Sequence, residues 1–566
     1  MQYFSYFCIF KKMGTHNNKI RFGLMVDSLG IQRWQAETIK LLVDNGIELA
    51  LVIMNDESEP KHVSFFEKIK RYPYRRIIFR FWNRYFFNPE CKTVTKFEIP
   101  ETTSVINCKP ITKGISTYFS EIDIEEIEKY DLDFILRFGF DIVRGGVLNC
   151  ARHGIWSYHH DDERVVRGGP PGFWEFMRGI PENGIILQQL TDSLDKGLII
   201  KRMKFSTTMH SYKEHLNRLF FESEVLPLQA CNELIVNGEL HPQPSSSKAP
   251  IIHPPVNIQM MKYFWLCLWR RLKFQINFLF RQEDWNVGYC MMPVEKFINH
   301  KNKELIDIHW FKPKKSEYFA DPFVITTKED TYIFFEWFSN KNGKSDLAVA
   351  RKSENFEKYH IISDFEKHRS YPFVFENENI IYCIPEAYKT NKVSLYRFDE
   401  ESLKLEFDCD LLEDVSFTDP TLYQKDGKWF LFVTPQKNSH THLLIYTADN
   451  LRGPYTSHPG NPVKVDCSDS RPAGKSMKIN GVEVRPAQNS TEHYGQSITL
   501  NKITELSENQ FEEEIISEIT PLGNTRYGKG IHTVNGNETI TVIDAKRFIF
   551  TLRGFFQQLK VKLKKS

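Results

Sequence analysis

Two groups of residues in this chain have the types and spacing that chemistry asks for. In the first, His153-Gly-Ile-Trp-Ser-Tyr-His-His160 is followed by Arg167-Gly-Gly-Pro-Pro-Gly-Phe-Trp174 and then by Leu194-Asp-Lys-Gly197. That order sets the imidazoles of His159 and His160 at the end of a predicted strand, a glycine-rich turn just beyond, and the carboxylate of Asp195 downstream. An imidazole and a carboxylate within reach of one substrate can donate to a developing oxyanion and take a proton from an attacking group. Singly, each residue has an ordinary explanation: histidines near strand ends are mostly structural, and Asp and Gly suit turns on local backbone grounds. The reading rests on their order and spacing together.

The second group repeats. Phe319-Ala-Asp-Pro-Phe-Val324, Ser370-Tyr-Pro-Phe-Val374, Phe417-Thr-Asp-Pro-Thr-Leu422 and Ser470-Arg-Pro-Ala473 each open a unit about 50 residues long. A second aromatic or β-branched strand follows each start, at Tyr332–Glu336, Ile381–Glu386, Trp429–Val433 and Val482–Arg485, and Gly530-Ile-His-Thr533 with Ile540–Asp544 forms a fifth unit. A period near 50 with several short strands per unit is the signature of a propeller, here of five blades. Inner strands line a central channel, so the unit starts bring Asp321, Tyr371, Asp419, Arg471 and His532 to one funnel, with Glu386, Arg485 and Gln488 at its rim. Hydrolysis of a glycosidic bond needs paired carboxylates, which Asp321, Asp419 and Glu386 supply. Asp-Pro is also a turn starter that blade geometry repeats unaided. Tyr371 and Arg471 at two of the starts make the funnel mixed in charge, which favours holding a polar or anionic glycan over cleaving one.

The first group needs elements to position it. Lys19–Val26 is an apolar strand candidate, Trp34–Asn45 has helical periodicity with Gly46 as a stop, and Ile47–Met54 is a second strand, which together predict a parallel crossover unit. Asp133–Gly139 is a further strand before the histidines, so they lie beyond a strand's C-terminal end, where open α/β sheets bind ligands. There is no GxGxxG fingerprint or phosphate loop, which argues against nicotinamide and nucleoside-triphosphate chemistry in this half.

On these motifs the first half resembles the N-terminal catalytic domain of the folate-dependent formyltransferases, which read Gly-x-x-Asn-x-His, Arg-Gly-x-x-Pro and Leu-Asp-x-Gly. By position, the resemblance puts the family's histidine on His159 and its aspartate on Asp195, while Ser157 stands where the family has asparagine. It implies formyl transfer from 10-formyltetrahydrofolate, as co-substrate, to an amine. His159, Asp195, Ser157 and His160 would then be catalytic, and Arg137, Phe138, Gly139, Arg167, Gly168 and Gly169 would hold the cofactor. The second half, from about Trp285 to about Arg547, resembles the N-terminal domain of glucosamine inositolphosphorylceramide transferases through Ala-Asp-Pro-Phe, Ser-Tyr-Pro-Phe-Val-Phe, Ile-Pro-Glu, Arg-Pro-Ala-Gly and Arg-Pro-Ala-Gln. Its Asp-Pro starts also resemble the five-bladed propellers of glycoside hydrolases. The implied fold is multidomain: an α/β open, mostly parallel sheet of formyltransferase type, then an all-β five-bladed propeller.

A chain of 566 residues accommodates two to four domains. The expected division is an extension at 1–17, an α/β domain at 18–240, a linker with an amphipathic helix at 241–284, the propeller at 285–547 and a basic amphipathic helix at 548–566. Aromatic content of 14% suits many strands or surfaces that hold sugar or membrane. A formal net charge of +2 and the lack of a basic platform exclude nucleic acid as an expected partner. Ten cysteines without a CxxC pair suggest free thiols and no metal site. The apolar Met1–Phe10 lacks a leading positive region and reads as an extension, with Met13 an alternative start, and not as a signal peptide.

Two segments point to membrane surface. Residues 260–280 are long enough to span a bilayer, but Arg270, Arg271 and Lys273 sit mid-segment, each costing about 2.5–3.5 kcal/mol at the bilayer centre, so an interfacial helix is expected. At the C-terminus Phe548, Leu552, Phe555, Leu559 and Leu563 share one helical face, with Arg553, Lys560, Lys562, Lys564 and Lys565 on the rest, which suits anionic lipid. The expected location is cytoplasmic, or peripheral at the inner face of a membrane. The expectation is an enzyme of surface-glycan or glycolipid assembly that formylates a small-molecule or lipid-linked amino sugar. The alternative is a non-formylating, glycan-binding or glycosyl-transferring protein whose working site is the propeller funnel.

Overall fold

The computed structural model describes residues 19–56, 74–114, 116–192, 197–247, 249–341 and 343–565. The expected extension at 1–17 and Asp195 lie outside these residues. The chain divides into two units, Met1–Leu272 and Lys273–Ser566.

The first unit is built on an eight-stranded sheet in the order Gln243–Pro244, Leu198–Ser206, Glu182–Gln189, Ile155–His159, Phe134–Arg137, Arg21–Val26, Glu48–Asn55, Ser104–Cys108. The last five strands run parallel. Parallel strands are covered on both faces and read as continuous apolar runs, and Phe22, Leu24, Leu51, Val52, Phe134, Leu136 and Trp156 are all fully buried. The crossover helix Arg33–Asp44 turns Trp34, Thr38, Ile39, Leu41 and Leu42 inward, starts with a reciprocal cap between Gln32 and Gln35, and stops at Gly46 in the left-handed region.

The fold-class expectation for this half is corrected. Beyond Ile155–His159 every pairing is antiparallel, so the sheet is mixed, with four parallel and three antiparallel pairings, and is not the expected parallel sheet of formyltransferase type. One cause is connection length: the chain from Gln189 to Leu198 suffices to turn back on itself but is too short for a parallel crossover, which takes a dozen residues or more. Eight of the nine sheets in the described residues have five strands or fewer. Small antiparallel sheets therefore dominate the molecule.

Five of those small sheets are the blades of a propeller in the second unit. Four follow the chain, with inner strands or starts at Glu317–Thr326, Ser370–Asn377, Phe417–Lys425 and Met477–Ile479. The fifth joins both ends of the unit: Val534–Gly536 and Thr541–Ile549 pair onward with Gln282–Cys290 and His309–Trp310. An early strand thus closes the ring through a continuous antiparallel register from Gln282↔Ile549 to Cys290↔Thr541.

Three inner strands share a device at the unit start. Register jumps between Ala320 and Phe323, Ser370 and Phe373, and Thr418 and Thr421, and the residues inside the bulges, Asp321, Tyr371 and Asp419, take φ of +52°, +43° and +49°. A proline follows each of them; it cannot donate to a ladder and disfavours right-handed helical geometry in the residue before it, so the break falls there. The bulge re-aims the Asp, Tyr and Asp side chains toward the propeller axis.

Candidate functional site

Each blade delivers polar groups to the axis at one register. Ala320 lies opposite Glu336, Ser370 opposite Glu386 and Thr418 opposite Thr434, while Gln488 N donates to Arg471 O at 2.7 Å and Asp544 N to Thr533 O at 3.3 Å. The second strands therefore supply Glu336, Glu386, Thr434, Gln488 and Asp544, and the bulges supply Asp321, Tyr371 and Asp419. Contacts run from blade to blade. Asp544 Oδ2 accepts from Asp321 N at 2.9 Å, Asp321 Oδ2 from Tyr371 N at 3.3 Å, and Glu386 Oε2 from Asp419 N at 3.2 Å. From the fourth blade Arg471 Nη2 reaches Asp419 Oδ1 at 3.2 Å and Gln488 Nε2 reaches Asp419 Oδ2 at 3.1 Å. Tyr371 Oη accepts from Gly474 N at 2.9 Å, an approach that needs glycine: φ there is +135°, and a Cβ would stand 2.2 Å from Val534 O.

Burial and neighbours push these carboxyls apart in pKa. Burial works against the Asp419 carboxylate, but the Arg471 guanidinium outweighs it and holds the pKa below the usual range. Glu386 moves the other way: burial and the adjoining Asp419 charge raise it well above the usual glutamate value, against the pull of Arg471. Burial lifts Asp321 to about 6 against the pull of His532, and burial with the Asp321 charge lifts Glu336 to about 8. His532 is fully buried, yet the Asp544 and Asp321 carboxylates more than offset that and raise its pKa. Two adjoining carboxyls are thus shifted in opposite directions, an arrangement suited to acid–base work.

An aromatic corner adjoins this network. Trp285, on the strand that closes the ring, stacks on His532 with ring centres 4.0 Å apart, and Tyr494 meets His532 edge-on at 5.1 Å. The Arg471 guanidinium lies 5.2 Å from the Tyr494 ring and Lys546 Nζ 5.0 Å from Trp285. Arg471 and Tyr494 are the partly exposed members of the group. Aromatic faces beside a few fixed polar groups are how ligand sites bind and orient a molecule with apolar and hydroxylated surfaces.

Of the funnel residues expected from sequence, the structure brings together Asp321, Glu386, Asp419, Arg471, Gln488 and His532. Arg485 goes elsewhere: its guanidinium is fully buried inside the fourth blade, donating to Glu513 and to the Asp469 and Ser470 carbonyls. It braces the turn that carries Arg471. Sequence reasoning missed Glu336, Asp544, Tyr494, Trp285 and Lys546. Asp544 had a signal, since it sits after Ile543 as Glu386 sits after Pro385, at the matching register. Trp285 had none, because its blade is defined only once the ring closes.

Asp321, His532 and Asp544 place one donor atom each within 4.8 Å of one another, the group among the described residues that could hold a metal ion. The two carboxylates are already engaged. Asp321 Oδ1 accepts from Thr533 Oγ1 at 3.0 Å, and Asp544 Oδ1 from the His532 and Thr533 amides at 3.0 Å. Hydrogen bonding thus explains the cluster as the seam between the fifth and first blades.

In the first unit Ser157, His159 and His160 lie at the end of one strand. His159 is half-buried at the end of its strand, opposite Ile186. Ser157 is buried and its Oγ accepts from Arg137 Nη2 at 2.9 Å. His160 is wedged among Trp34, Tyr158 and Phe220, and burial keeps its pKa well below that of a free imidazole. The expected cofactor residues make contacts within the unit. Arg137 also donates to the Gly139 and Asp141 carbonyls, and Phe138 packs edge-on against Trp34 at 5.1 Å. Gly139 is pressed against Asp27, where a Cβ would come within 2.6 Å of the backbone. Arg167 and Gly168 pair with Ile251 and Ile252 as a parallel ladder, with Gly169 next to them ahead of Pro170. A cleft of about 690 Å³ lies at the other end of the strands, lined by Arg21, Asp131, Asp133, Arg152 and His153.

Comparison with known proteins bears on the second unit. Residues 311–549 match the family described as glucosamine inositolphosphorylceramide transferase 1, N-terminal. A glucosamine inositolphosphorylceramide transferase 1 of Oryza sativa subsp. japonica is 32% identical over 232 residues, which is 39% of this chain and 30% of the relative. The protein of that name from Arabidopsis thaliana is 27% identical over 207 residues, 35% of this chain and 27% of the relative. The chain thus spans about a third or less of the length of these curated relatives. Among solved structures, a thermostable family-43 glycoside hydrolase aligns with 40% of this chain and 86% of its own at 13% identity and a TM-score of 0.30. An exo-beta-1,3-galactanase from Clostridium thermocellum aligns with 42% of this chain and 57% of its own at 12% identity and a TM-score of 0.31.

These findings correct the expected enzyme. The relatives are named glucosamine inositolphosphorylceramide transferases and not formyltransferases, and the family match, at 311–549, lies in the propeller. Nothing in these relatives supports formyl transfer.

Proposed function

We propose that this is a protein of glycolipid assembly in which the propeller funnel holds the sugar headgroup of a lipid-linked substrate. The observation that carries the reading is the convergence of Asp321, Glu386, Asp419, Arg471, Tyr494 and His532 on one axis, all inside the stretch that matches glucosamine inositolphosphorylceramide transferases. The relatives' name supports a headgroup of glucosamine and inositol phosphate. Tyr494 offers a sugar its ring face, and the Asp419–Arg471 pair and the Glu386 carboxyl offer hydroxyl groups acceptors and donors in fixed positions.

A second reading is favoured by one feature. Glu386 adjoins Asp419, whose backbone N donates to Glu386 Oε2 at 3.2 Å, and the two carboxyls are shifted in opposite directions, Glu386 upward, which suits Glu386 to protonate a leaving oxygen during glycosyl transfer. Saturation-transfer NMR on the full chain, with glucosamine, inositol phosphate and the two joined, tests the binding reading. Signal transfer to the joined headgroup, reduced in Tyr494→Ala, is the expected result; none of the three ligands responding would end the proposal. Turnover lost in Glu386→Gln while headgroup binding persists would establish the second reading.

A further inference from the structure

In the first unit the helix Ile77–Tyr85 and the Asn257–Leu272 portion of a longer helix lie side by side with exposed apolar faces. The helix Ile77–Tyr85 is tied to the start of Asn257–Phe280 by Asn257, whose Oδ1 accepts from Ile78 N at 3.1 Å and whose Nδ2 donates to Tyr74 O at 3.1 Å. Trp82 packs on Tyr263 with ring centres 5.1 Å apart. The longer helix settles on the unit through Met260 and Tyr263, which are buried, and through Arg270, which donates to Phe176 O and covers the Phe176 ring. Its opposite side is a second apolar stripe at helical spacing: Ile258, Met261, Trp265, Leu268 and Leu272, each 49–71% exposed. Ile77, Phe81 and Tyr85 make a matching stripe on the shorter helix, 56–60% exposed. Scattered exposed apolar residues need no explanation, but two adjacent stripes of them do.

Charge indicates what covers this face. Neither helix contains a carboxylate, and Arg75, Arg76, Arg84, Lys262 and Arg271 lie among or beside the apolar side chains. No helix among the described residues is long and apolar enough to cross a membrane. Helices that combine Trp, Phe and Leu with Arg and Lys, and carry no acid, are suited to lie in the plane of an anionic bilayer, rings at the acyl boundary and cations at the headgroups. We propose that Ile77–Tyr85 and the Asn257–Leu272 portion of the longer helix form a docking platform for an anionic lipid surface.

The test is flotation of the full chain with vesicles of phosphatidylcholine alone and of equimolar phosphatidylcholine and phosphatidylglycerol, at low and high salt. Binding to the anionic vesicles, weakened by salt and absent from the neutral ones, is expected. Trp265→Glu with Leu268→Glu should abolish it, and Arg84→Glu with Arg271→Glu should lower it by at least about 10-fold, with unfolding temperatures unchanged because these side chains are exposed. The separate C-terminal helix Leu552–Lys565 is intact in all of these variants. If they float like the parent, or if the parent binds neither vesicle or both equally, the proposal falls; a dimer that Leu268→Glu dissociates, without vesicle binding, would also overturn it in favour of a second copy as the cover.

Discussion

Asp419 is almost inaccessible and still ionised, because Arg471 and Gln488 are fixed against its two oxygens. Arg471→Ala would leave that charge buried without its partner, a change that typically destabilises by about 3–5 kcal/mol. Urea unfolding of the variant should show this loss, and Arg471→Lys, a point charge without the planar fork, should recover only part of it. Glu336 makes the opposite case. Its folded-state pKa of about 8 exceeds the unfolded value of about 4.3, so its contribution to stability is complete below the unfolded value and declines as pH rises toward 8. Glu336→Gln keeps an acceptor for the Ser345 hydroxyl and removes the ionisation. It should melt several degrees above the parent at pH 8 and close to it at pH 4; equal curves at both would refute the assignment.

Among the elements, those with a strong local period were readable before any coordinates. Arg21–Val26, Arg33–Asp44 and Glu48–Asn55 lie where apolar runs, 3.6-residue spacing and the Gly46 stop put them, and the blade starts at Asp321, Tyr371 and Asp419 lie where Asp-Pro and Tyr-Pro recur. Long-range pairing was not readable. The sequence of Gln282–Cys290 says nothing of its partnership with Thr541–Ile549, and so the place of Trp285 in the site could not be inferred. Arg485 misled because its motif repeats that of Arg471 while its side chain points into the blade toward Glu513. In the histidine motif, Ser157 accepts from Arg137 and His160 packs among aromatic rings, contacts that the local pattern of residue types does not reveal. Gly288, on the closing strand, shows how tightly that pairing is packed, since a Cβ there would stand 2.6 Å from Ile308 Cγ2. Gly288→Val should therefore weaken the ring by about 1–3 kcal/mol, measurable as a lower unfolding midpoint for the second unit.

The whole molecule is two units with different internal logic, one held by a doubly covered sheet and one by a closed ring. They should respond separately to damage. Trp156→Ala, which removes a fully buried ring stacked on Phe134, should cost the first unit about 3–5 kcal/mol and leave the transition that Gly288→Val shifts untouched. Calorimetric scans of the two variants check this, and a single transition moved equally by both would contradict it. The functional account needs only the ring, because every residue proposed to touch the sugar lies between Asp321 and His532. Its most direct test is calorimetric titration of the full chain with a soluble glucosaminyl-inositol-phosphate headgroup, beside Tyr494→Ala. Saturable binding by the parent, weakened at least about 10-fold in the variant, is the predicted result; an absence of heat from the parent, or identical isotherms for the two proteins, would contradict it.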